Sequence, residues 1–60
     1  MTQLAIRVLL IEDHFLARMA LRSVLSGHSD IVIVGEAGDG AGGIELYRQC
    51  TPDVTVMDLR

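Results

Sequence analysis

Arg7-Val8-Leu9-Leu10-Ile11-Glu12-Asp13 (RVLLIED, residues 7–13) sets four consecutive aliphatic residues directly before two carboxylates. A continuous apolar run, unlike an alternating one, is how a strand buried on both faces reads. A first strand is therefore expected over Ile6–Ile11. Beyond it the period changes. Ala17, Ala20, Leu21, Val24 and Leu25 recur at spacings of three and four, with Arg18 and Arg22 together on the other side. That pattern predicts an amphipathic helix over Phe15–Ser26, stopped by Gly27.

The same alternation then repeats. Ile31–Val34, extended by Gly35, Glu36 and Ala37, is a β-branched run and predicts a second strand. Gly38, Gly40, Gly42 and Gly43 mark a loop, and Asp39 is placed to cap a helix running to about Cys50, with Ile44 and Tyr47 facing inward. Pro52 ends that helix, and Val54–Met57 predicts a third buried strand. Strand, helix, strand, helix, strand implies an open α/β fold with a parallel sheet and right-handed crossovers.

Composition narrows the function classes. Eight acidic residues against five arginines and no lysine give a net charge of −3, which argues against direct nucleic-acid binding by this segment. Half of the residues are hydrophobic, which excludes disorder as the resting expectation. The single cysteine, Cys50, cannot form an internal disulfide and suits a reducing compartment. The N-terminal residues lack the charged start and long apolar core of a leader, and Val8–Ile11 is far below membrane-spanning length. A cytoplasmic, soluble protein with no membrane partner is expected. A chain of this size buries only about 60% of its unfolded surface, so it needs further cover. Ending at Arg60, soon after a strand, it has the look of a domain cut short.

In parallel α/β sheets, ligands bind beyond the carboxyl ends of the strands, where the strand order reverses. Glu12 and Asp13 follow the first strand and Asp58 follows the third. If those strands are neighbours, three carboxylates converge, and their mutual repulsion calls for a cation. Hard oxygen ligands with room for water suit Mg²⁺. A carboxylate beside such an ion can attack phosphorus, which makes Asp58 the candidate nucleophile. The plainer alternative is that Asp13 merely caps the first helix.

Arg7–Asp13, the Gly-Glu-Ala-Gly-Asp-Gly stretch at 35–40, and Pro52-Asp53-Val54-Thr55-Val56-Met57-Asp58-Leu59-Arg60 together resemble response-regulator receiver domains in order and spacing, over the whole chain. His14 after the acidic pair is most like the subfamily whose receivers carry a helix-turn-helix DNA-binding output domain. The resemblance implies a flavodoxin-like (CheY-like) sheet of order 2-1-3-4-5, of which residues 1–60 supply the first β-α-β-α-β half. It implies that a histidine kinase phosphorylates Asp58 and that Asp13, Asp58 and the backbone carbonyl of Arg60 bind Mg²⁺ directly, with Glu12 holding it through water. It also implies a non-enzymatic switch that reaches DNA only through its output domain. A receiver further needs a Ser or Thr ending a fourth strand and a Lys ending a fifth, elements outside these residues. Two departures stand out: Phe15 replaces the Pro common after the His, and Gly42 and Gly43 occupy a helix where stronger formers are usual.

Two rival readings remain. Gly38, Gly40 and Gly43 match G-x-G-x-x-G, with Asp58 twenty residues on, as in a dinucleotide site. A non-catalytic assembly module is the other, because an unpaired third strand is a template for another chain. On the same ground the isolated piece is expected to form a dimer or higher oligomer through the Val54–Met57 edge. Elsewhere ordinary roles are expected: His14 a solvated loop residue, Met19 and Met57 core filler, Cys50 a small hydrophobe, and Arg18 with Arg22 a solvated face or a kinase-docking one.

Overall fold

The computed structural model describes residues 4–59. Five elements follow in the expected order: β1 (Ile6–Glu12), α1 (Phe15–Ser26), β2 (Ile31–Ala37), α2 (Gly40–Cys50) and β3 (Val54–Asp58). Both helices have the predicted ends. Strands β1 and β3 each run one residue further than expected, so Glu12 and Asp58 are the last residues of their strands.

The sheet is parallel, in the order β2-β1-β3. Right-handed crossovers leaving β1 in one direction and returning past it in the other put α1 and α2 on opposite faces. Each helix packs on β1 and β2. Central β1 is thus covered on both sides, which is why Val8, Leu9, Leu10 and Ile11 are all buried. Alternation along the strand sends Leu9 and Ile11 to one face, where they join Ala37 and Leu46 of α2, and Val8 and Leu10 to the other.

Gly43 is the close-approach point of α2. A Cβ there would overlap Cδ1 of Ile11 and lie 3.0 Å from its Cγ1, so the helix reaches β1 only because no side chain intervenes. Ile44 and Tyr47 do not face inward as the pattern implied. They are 59% and 56% exposed, and the inward positions are taken by Gly43, Leu46 and Cys50. The helix lies over β1 and β2, and among the described residues it does not pack on β3.

The ladder between β1 and β2 shifts between Val8 and Leu9, whose partners are Ile33 and Gly35, leaving Val34 as an extra residue. The Cys50 thiol donates to the Val34 carbonyl at 3.4 Å, which ties the end of α2 to the bulge. At the end of the sheet where the strands begin, Arg7 N–H donates to Asp53 Oδ2 at 2.9 Å while Asp53 N–H donates to the Arg7 carbonyl at 2.8 Å. The Arg7 guanidinium also donates to the Thr51 carbonyl at 2.7 Å. This three-bond clasp sets where β3 begins and therefore fixes its register.

Among the described residues no helix packs on β3. Val54 and Met57 are 47% and 60% exposed, although the sequence reads as a buried strand. An apolar groove of about 400 Å³ lies beside it, lined by Ile11, Gly40, Gly43, Ile44, Tyr47, Thr55 and Met57.

Candidate functional site

Register decides what meets at the carboxyl end of the sheet. Val8 pairs with Val54, Leu10 with Val56, and the last pair of the β1–β3 ladder is Glu12 with Asp58. The clasp at Arg7 and Asp53 and the uniform spacing of the parallel ladder thus deliver two carboxylate residues side by side. Asp13 follows Glu12 at the mouth of the loop to α1. The strand order reverses between β1 and β3, so this pair stands at the switch point, where ligands of open α/β sheets bind.

The three acids differ in setting. Glu12 is wholly buried, whereas Asp13 and Asp58 are exposed. A buried glutamate at a sheet end beside an exposed aspartate pairs a held group with an accessible one, and accessibility is what a nucleophile needs. The Arg60 carbonyl, the fourth expected ligand, lies outside the described residues.

The helix cap falls on His14, not on Asp13. His14 has extended backbone (φ −92°, ψ 117°), and its Nδ1 accepts from Ala17 N–H at 3.3 Å. This corrects the capping alternative for Asp13; His14 is exposed at the helix start as expected and carries the cap as well. With an acceptor already supplied by His14, capping gives no account of the acid beside it.

The donor set at the switch point is carboxylate oxygen, the type a hard divalent cation prefers. Among the described residues no group of three or more His, Cys, Asp or Glu is gathered so as to hold a metal ion alone. Mg²⁺ does not demand one, since it keeps several waters and takes one or two carboxylates plus phosphate oxygens. In donor type Asp13 and Asp58 suit such an ion, and Glu12 pairs with Asp58 in the ladder.

Arg18 was expected on a solvated face, and its position is different. Its side chain is 24% exposed, donates from Nη1 to the Glu12 carbonyl at 3.1 Å and lies 3.9 Å from Glu36 Oε1. Arg22 reaches Glu36 Oε2 at 3.5 Å. The first turns of α1 therefore present two cations to the ends of β1 and β2. Helical periodicity set both against the apolar side of α1, whereas Arg18 is partly buried and Ala20 and Val24 are exposed. It carried no information on how far across the sheet edge a long side chain reaches.

The glycine cluster is elsewhere. Gly38, Gly40 and Gly43 follow β2, an edge strand, and not a strand at the switch point. The N-terminus of α2 is taken by Asp39, whose Oδ1 accepts from Gly42 N–H at 2.6 Å. A carboxylate already occupies the place where a dinucleotide would set its pyrophosphate, and its charge would repel one.

Comparison with known proteins agrees with this geometry. The family described as response regulator receiver domain matches residues 8–60. The chain is 50% identical over 54 residues to the transcriptional regulatory protein LiaR of Bacillus subtilis, covering 90% of the chain and 26% of that protein. It is 42% identical over 52 residues to the nitrate/nitrite response regulator protein NarL of Escherichia coli K12, covering 87% and 24%. A protein-glutamate methylesterase/protein-glutamine glutaminase of Methanosarcina acetivorans is 42% identical over 53 residues, covering 88% and 15%. The chain thus spans about a quarter or less of the length of these relatives. No solved structure gives a significant match.

Proposed function

Because this chain belongs to the family of response regulator receiver domains, we propose that it is the phosphoacceptor part of a two-component switch, with Asp58 as the residue phosphorylated. The observation that carries the reading is the register pair of Glu12 and Asp58 at the switch point, with Asp13 next to it. The exposed Asp58 carboxylate attacks the phosphorus of a phosphohistidine on a histidine kinase. The phosphorus–nitrogen bond breaks, its electron pair returns to the imidazole, and an acyl phosphate remains on Asp58. Mg²⁺, when bound, neutralises the phosphoryl oxygens during that transfer. Asp13 and Asp58, with the backbone carbonyl of Arg60, would hold the ion directly, and Glu12 would hold it through water.

Residues 1–60 are then the N-terminal half of a receiver. In the parent protein, the phosphoryl group controls a helix-turn-helix output domain that binds DNA; in support, one relative is named a transcriptional regulatory protein and another a response regulator. The receiver's part is regulatory, not enzymatic. Among the described residues no helix is long and apolar enough to cross a membrane. On the family reading, the protein works in the cytoplasm with its kinase partner.

The test uses the complete receiver, with residues 1–60 unchanged, mixed with Mg²⁺ and a phosphorylated histidine kinase. Label is expected to move to the receiver and to stay on the kinase when Asp58→Asn is used. Transfer of equal extent to the Asp58→Asn protein would contradict the assignment. Titration with NAD is expected to leave the protein's spectra unchanged, and saturable binding lost in Gly40→Val would favour the dinucleotide alternative instead.

A further inference from the structure

We propose that Arg18 is a positioning residue for the acidic site, setting the peptide from which Asp13 projects; the proposal rests on the reading of Asp13 and Asp58 given above. Its Nη1 donates to the Glu12 carbonyl at 3.1 Å, and that carbonyl belongs to the peptide joining Glu12 to Asp13. Fixing its oxygen fixes the rotation of the peptide plane, and hence the direction in which the Asp13 side chain leaves the chain. A guanidinium is suited to this, because its donors form a rigid planar fork.

The guanidinium is itself held from several sides. Glu36 Oε1 lies 3.9 Å from Nε, and the Phe15 ring centroid lies 5.8 Å from Cζ. Nη1 also occupies the space above Gly38, since a Cβ built there would come within 2.7 Å of it. Arg22 draws Glu36 from its other oxygen. One side chain on α1 thereby joins the ends of β1 and β2 and the loop into α2 on the ligand-binding edge of the sheet. Each contact alone is weak, since ion pairs near the surface contribute little by themselves. Their combination gives orientation more than stability.

Positioning and simple charge predict opposite signs. Removing a nearby cation from an acidic site should strengthen binding of a divalent cation by Coulomb attraction alone. Losing the support behind a metal ligand should weaken it, by about 10-fold to 100-fold for groups that orient ligands. The experiment is Mg²⁺ titration of the complete receiver, unsubstituted and as Arg18→Met, Arg18→Lys and Glu36→Gln, with circular dichroism and thermal melts on each. Arg18→Met is expected to lose about 10-fold or more in Mg²⁺ affinity while keeping its fold, with Arg18→Lys recovering part of the loss. Glu36→Gln leaves Arg18 and the acids in place and serves if Arg18→Met does not fold, its titration being run in about 1 M salt so that the loss of its own charge is screened. It is expected to weaken Mg²⁺ binding in the same direction by a smaller factor. Unchanged or tighter Mg²⁺ binding in folded Arg18→Met, or in Glu36→Gln, would overturn the proposal. If the unsubstituted receiver shows no Mg²⁺ binding that depends on Asp13, the acidic-site reading fails and takes this proposal with it.

Discussion

Replacing Asp13 by Asn removes one charge and keeps the side chain's shape, and the capping duty at this helix belongs to His14. Asp13→Asn in the complete receiver is therefore expected to abolish both Mg²⁺ binding and phosphoryl transfer to Asp58 while leaving the melting temperature within a few degrees. Isothermal titration and transfer of label from the kinase would check the pair, and undiminished phosphorylation would remove the metal-site argument. At this scale the positions of Glu12 and Asp58 at strand ends were legible in the sequence because each follows an apolar run directly, and strand ends are where parallel sheets bind ligands. Arg18 and His14 were not. A periodic pattern ranks the faces of one helix, whereas the Glu12 carbonyl that Arg18 meets and the Ala17 amide that His14 caps are set by how the chain turns after β1.

Helix α2 shows how far composition and packing can diverge. Three glycines near its start, Gly40, Gly42 and Gly43, weaken the helix on propensity, by about 1 kcal/mol each at interior positions, yet they are not equivalent. A Cβ at Gly40 meets only Leu59 Cδ1 at an ordinary 3.7 Å, while a Cβ at Gly43 overlaps the buried side chain of Ile11. Gly40→Ala is expected to be neutral or to stabilise by up to about 1 kcal/mol. Gly43→Ala is expected to destabilise, because overpacking of about 1–3 kcal/mol exceeds the propensity gain. Urea unfolding of the two variants would separate them, and two changes of the same sign would contradict the packing account. The far end of the helix carries a second backbone prediction. Thr51 is left-handed at φ 43°, ψ 63°, an expensive conformation for a β-branched residue, and its N–H donates to the Tyr47 carbonyl as the cap. Thr51→Gly relieves about 1 kcal/mol of that strain, less the entropy that glycine gains in the unfolded chain, and a modest rise in melting temperature is expected. The extents of α1 and α2 were readable from cap and stop residues. The inward placement of Ile44 and Tyr47 was misread because the face of α2 is chosen by where Gly43 lets it touch β1.

Across the whole molecule, the order β2-β1-β3 leaves β3 on an edge, with no helix packed on it among the described residues. Val54, Met57, Ile44 and Tyr47 are exposed along that side, and parallel strands of this composition are ordinarily covered on both faces. We therefore expect the 60-residue chain alone to associate through β3, with a sedimentation coefficient that rises with concentration. A compact monomer at every dilution would show that the edge does not recruit a second copy. The sheet order itself was legible only through the family resemblance, since alternation of strands and helices fixes parallel pairing but not which strand lies in the middle. That order brings Glu12 beside Asp58, and the functional claim depends on it. The most direct measurement is to phosphorylate the complete receiver from its kinase with Mg²⁺, reduce the acyl phosphate with borohydride, and map the peptides by mass spectrometry. The account predicts conversion of Asp58, and of no other aspartate, to homoserine, whereas conversion at Asp13 or Asp53, or at no residue at all, would contradict it.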